Sequence, residues 1–136
     1  MVSASLPAPE VSAADAALMR DHVQVARAGD AIVVRPAGSV EALPWELMEE
    51  ASTVLLAPVS GRPAPLVVFD LVELASVGSV LLNLLLKCHR RVEKAGGELV
   101  LCRASAAVHE LVKLTALDTV WAIYDSREEA LEAIGA

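Results

Sequence analysis

Apolar and polar positions along this chain fall into short blocks whose period switches between two and about 3.6, the pattern of alternating strands and helices. Leu66, Val67, Val68 and Phe69 form a continuous apolar run ending at Asp70, which suits a strand buried on both faces. Dense apolar positions over 80–92 predict a long helix beginning near Ser79, with Lys87, Arg90, Arg91 and Lys94 confined to its later turns. Upstream, 22–27 alternates and 31–35 is β-rich, and Ala28-Gly29-Asp30 between them predicts an antiparallel hairpin. Leu43, Leu47, Met48, Ala51, Val54 and Leu55 recur at helical spacing, with Pro44 placed in the first turn and the helix closed before Pro58.

The later blocks continue the alternation. Gly96-Gly97 supplies C-cap geometry after the long helix, and a strand over 98–102 begins at once. Ser105 is placed as the N-cap of a helix over 106–115, the last strand over 120–124, and Ser126-Arg127-Glu128-Glu129 reads as a capping box opening a final helix. The order β-β-α-β-α-β-α-β-α predicts an α/β domain over 22–136, with a mixed sheet of about five strands and about four helices. Residues 1–21 are expected to form an N-terminal arm, poorly ordered over 1–9, with a short helix over 12–20 capped by Ser12.

Composition narrows the function. At 136 residues the chain fits one domain able to bury a core without disulfides or metals. Mean hydropathy is high at +0.53, yet Asn83 and Lys87 interrupt the longest apolar run well short of the ~20 residues of a spanning helix. No export signal opens the chain, which predicts a cytoplasmic protein with free thiols at Cys88 and Cys102. His22, His89 and His109 share no motif with either cysteine, and no base or phosphate cradle accompanies the thiols, so no catalytic residue, metal or cofactor is expected. A net charge of -7 argues against nucleic acid or an anionic membrane as the main partner. A protein partner or a small ligand fits better. Lys87, Arg90, Arg91 and Lys94, late in the long helix, are expected to answer its dipole rather than to grip an acidic partner. Trp121 reads as core, whereas Trp45 at a helix start is left open.

Three stretches carry a family resemblance: Val67-Val68-Phe69-Asp70-Leu71, Arg90-Arg91-Val92-Glu93-Lys94-Ala95-Gly96-Gly97-Glu98-Leu99, and Leu117-Asp118-Thr119-Val120-Trp121-Ala122-Ile123-Tyr124 with its capped helix. In this order and spacing the chain, from about Val23 to its end, resembles the STAS domain of bacterial anti-sigma factor antagonists and sulfate transporter tails. In phosphorylatable members an Asp-Ser-Ser-Gly-Leu signature opens the helix, its first Ser nine residues after the strand Asp. Ser79 stands nine residues after Asp70, and the signature here reads Gly78-Ser79-Val80-Leu81-Leu82. An alternative register places Ser76-Val77-Gly78 on Ser-Ser-Gly but shortens the loop by three residues.

The resemblance implies an anti-sigma factor antagonist: a binding module, not an enzyme, whose partner is an anti-sigma serine kinase. Ser79 is the phosphoacceptor candidate, with Ser76 as the alternative. Asp70, Gly78, Ser79, Val80 and Asn83 form the expected partner surface, with Ser79 capping the helix. A homodimer is compatible with the same fold, and no membrane insertion is expected. The substituted signature motivates an alternative, a STAS scaffold subunit of a transporter or signalling assembly that is not phosphorylated.

Overall fold

The computed structural model of the protein describes residues 11–136, so the expectation for 1–9 lies outside the described residues. Five strands, β1 (Val23–Ala28), β2 (Ala31–Pro36), β3 (Leu66–Asp70), β4 (Glu98–Cys102) and β5 (Ile123–Tyr124), lie side by side in that order. β1 and β2 form the predicted antiparallel hairpin, Ala28 opposite Ala31, and Gly29 supplies the positive φ of +62° that the tight turn requires. β2, β3, β4 and β5 run parallel.

The helices are α1 (Ala13–His22), α2 (Met48–Leu56), α3 (Ser79–Lys94), α4 (Ala106–Leu114) and α5 (Arg127–Ala133). α2, α3 and α4 pack on one face, where Ile32, Val34, Val67, Phe69 and Leu101 meet Leu55, Leu81, Leu84, Leu85 and Val108. On the other face Ala31, Val33, Val68, Val100 and Cys102 pack against Ala130 and Ile134 of α5. Burial on both sides explains why β2, β3 and β4 read as unbroken apolar runs rather than alternating ones. The predicted caps are in place: Ser12 accepts from the Asp15 N–H at 3.0 Å, Ser105 from Val108 at 3.2 Å and Ser126 from Glu129 at 3.0 Å.

Three elements differ from expectation. The helix read from Leu43 onward is preceded by two 3₁₀ turns, Gly38–Ala42 and Trp45–Leu47, and its α-helical part begins only at Met48. Leu43 is extended at φ -65°, ψ 141°, because the residue before a proline is pushed out of the helical region, and Pro44 flanks the second turn instead of opening a helix. Pro58 is not simply a stop; it lies inside a further 3₁₀ turn, Ala57–Val59, near whose start its missing N–H needs no partner. The last strand shrinks from 120–124 to Ile123–Tyr124, since Leu117–Thr119 takes a 3₁₀ turn and the Trp121 N–H donates back to Leu117 at 2.9 Å. Trp121 is nonetheless core, 2% exposed.

Candidate functional site

β3 ends in the middle of the sheet, and residues 71–78 carry the chain from its tip to the start of α3. Loop and tip are held by β4 and by the segment that leads from β4 into α4. The Leu71 N–H donates to Cys102 O at 2.9 Å, and the Ser105 hydroxyl donates to Ala75 O at 2.8 Å. Leu71 and Leu74 are buried and anchor the loop from below, while Val72 is 44% exposed on top.

Asp70 is expected at the partner surface, and it is not there: it is fully buried. Its Oδ1 accepts from Arg103 Nε at 2.9 Å and from the Val72 N–H at 3.2 Å, Arg103 Nη2 donates to Oδ2, and Arg127 Nη2 lies 3.5 Å from the same oxygen. Burial by itself would push this carboxyl up. The Arg103 and Val72 hydrogen bonds and the charges of Arg103 and Arg127 outweigh it and hold the carboxyl below its ordinary value. Asp70 therefore ties β3, β4 and α5 together beneath the loop. The parallel register sets Asp70 beside Cys102, so Arg103 is the next residue along. That proximity is legible only once the strand order is known.

The start of α3 holds a second departure. Gly78, not Ser79, is the N-cap, and Ser79 is the first helical residue, exposed to solvent. The cap itself comes from Glu41 in the first 3₁₀ turn. Its carboxylate accepts from the N–H groups of Gly78 and Val80, both at 3.1 Å, and of Leu81 at 3.0 Å. A Cβ at position 78 would run into that carboxylate, so glycine is what lets Glu41 enter. An acid at a helix N-terminus satisfies otherwise unpaired donors and meets the positive end of the dipole. No local pattern marks Glu41 for this role, because 37 positions separate it from Gly78.

The surface around Ser79 is mixed. Val80 and Asn83 are half-buried beside it, and Ser76 is exposed in the loop. Trp45, four residues beyond Glu41, is 57% exposed. Glu73, on the loop, pairs with Arg35 of β2 at 3.0 Å, and Glu41 ties the segment after β2 to the start of α3, so the segments after β2 and after β3 meet in one ridge. By contrast Cys88 and Cys102 are both buried free thiols, pushed up to about 12 chiefly by burial. Among the described residues no cluster of histidine, cysteine or carboxylate side chains could hold a metal ion, and no helix is long and apolar enough to cross a membrane.

The family model of the STAS domain matches residues 13–130. The chain belongs to the STAS family. Among solved structures this STAS domain is similar to an anti-sigma factor antagonist (STAS) domain protein from Planctomyces limnophilus, 25% identical, covering 84% of this chain and 98% of that one at a TM-score of 0.70. An anti-sigma factor antagonist from Mycobacterium paratuberculosis is 23% identical, covering 84% and 93%, at a TM-score of 0.64. The Bacillus cell fate determinant SpoIIAA in its phosphorylated form is 19% identical, covering 82% and 98%, at a TM-score of 0.58. No curated protein matches the sequence significantly. The family match begins at Ala13, the first residue of α1.

Proposed function

We propose that this STAS domain is a cytoplasmic anti-sigma factor antagonist, a non-catalytic binding module that engages an anti-sigma serine kinase through the ridge at the start of α3. The observation that carries this is an exposed serine at the first position of α3, on the family scaffold, with exposed apolar side chains at Trp45 and Val72 on the neighbouring segments. A kinase partner transfers the γ-phosphoryl group of ATP to the Ser79 hydroxyl and thereby ends its own binding. The added charge of about -1.5 to -2 falls beside the Glu41 carboxylate, which already takes the helix N–H groups. Phosphorylation thus sets two anions against each other, and either Glu41 leaves the cap or the phosphate faces the partner unneutralised. Both outcomes weaken an apolar interface.

Incubation with the kinase and ATP, followed by mapping of the product by mass spectrometry, tests this. Modification at Ser79 and a complex weakened by Ser79→Asp are expected; an unmodified chain that forms no complex overturns the proposal. Modification at Ser76 instead would select the shorter register. One observation favours the alternative of a scaffold subunit that is not phosphorylated: the N–H groups that would hold a phosphate are already taken by Glu41. On that reading Ser79→Ala leaves the assembly intact and no kinase modifies the chain.

A further inference from the structure

At the other end of α3 from Ser79 a cavity of about 360 Å³ opens between the end of α2, the turn after it and the last turn of α3. Leu56, Val59, Pro65 and Val92 give it an apolar floor, and its charged lining residues are Arg62, Arg91 and Lys94, with no carboxylate. Lys87 and Arg90 extend the basic strip beyond the rim, where Glu49 is the one acid. Five of the chain's 11 lysines and arginines thus gather at one end of a molecule whose net charge is -7.

The helix dipole does not account for this gathering. The last carbonyls of α3 are already capped by backbone: Arg91 O accepts from Ala95, Val92 O from Gly97 and Glu93 O from Gly96. Arg62 lies on a loop outside any helix. Glu49 binds Lys87 at 3.2 Å and Arg91 Nη2 at 2.9 Å, which leaves Arg62, Arg90 and Lys94 without an ion-pair partner among the described residues. Arg91 Nε is buried with no hydrogen-bond partner among them, a donor whose desolvation is uncompensated.

We infer that this cavity is a binding site for a small amphiphilic carboxylate, its hydrocarbon part on the Leu56, Val59 and Val92 floor and its head group between Arg62, Arg91 and Lys94. At about 30 Å³ per water-sized group the volume holds roughly twelve non-hydrogen atoms, the size of a medium-chain fatty acid. The apolar floor selects the tail, and Arg62 and Lys94, without ion-pair partners among the described residues, together with the unpartnered Nε of Arg91 select an anionic head group. The site stands apart from Ser79 and does not rest on the reading of that residue.

Titration of the full chain with octanoate, followed by backbone amide NMR, tests the site, with 1-octanol, acetate and inorganic phosphate as controls. Saturable shifts are expected over 53–65 and 91–95, with a dissociation constant below about 1 mM and the Ser79 amide unmoved. Octanol and the Arg62→Gln/Lys94→Gln variant should each bind about tenfold more weakly, and acetate and phosphate more weakly still. Equal binding of octanol and octanoate, scattered shifts, or no saturation would overturn the site. So would saturation by an acidic peptide where octanoate has no effect, which would give the basic strip to a protein partner.

Discussion

Glu41 and Gly78 act as a pair. The glycine leaves room at the start of α3, and the glutamate fills it with a carboxylate bonded to three N–H groups. Glu41→Ala should cost about 1 kcal/mol in urea denaturation, the usual worth of an N-cap. Gly78→Asp, which restores the acid of the phosphorylatable signature, should destabilise the wild type yet be tolerated in the Glu41→Ala background. A double-mutant cycle should therefore show coupling of about 1 kcal/mol, and strict additivity would disprove the pairing. Asp70 gives a pH signature. Its carboxyl is held below the ordinary value of 3.8 in the folded chain, so the stability it contributes is present above that pH and is lost as pH falls through the lowered folded value. Wild type should exceed Asp70→Asn in stability at pH 7, and the gap should narrow only below about pH 4 in equilibrium unfolding at stepped pH.

At the scale of elements, the turn from α3 into β4 is closely constrained. Gly96 takes φ +78°, and Gly97 has backbone and ring atoms of Pro65 where a side chain would begin. The Glu98 N–H then donates to Pro65 O at 3.0 Å, which locks the loop before β3 to the start of β4. Because the obstacle is backbone rather than the end of a flexible side chain, Gly97→Ala should cost at least about 2 kcal/mol, measured by thermal or urea unfolding. The glycine pair is legible as a helix stop; that its second member serves a close approach is not. Likewise Pro44 reads as a helix opener until Leu43 and its extended backbone are seen.

Over the whole molecule the two ends of α3 present different surfaces. Trp45 and Val72 are exposed on the segments after β2 and after β3, whereas the far end of α3 carries the basic cavity. Trp45→Ala should change stability by less than about 0.5 kcal/mol, since more than half of the side chain is in water, but should weaken the proposed kinase complex about tenfold in calorimetry. Local pattern is enough for the element order, the hairpin, the three serine caps, the buried cysteines and the position of Ser79, because periodicity, turn chemistry and capping act over a few residues. The family resemblance rests on the same short stretches. Three features needed the tertiary structure: the burial of Asp70 under Arg103 and Arg127, the capture of the α3 N-terminus by Glu41, and the meeting of Arg62 with Arg91 and Lys94 around an apolar floor. Each joins segments 29 or more positions apart. A sequence read alone shows which groups carry charge, but only the packed sheet and its helices settle which of those charges meet, because that depends on strand order and helix placement rather than on neighbours in the chain.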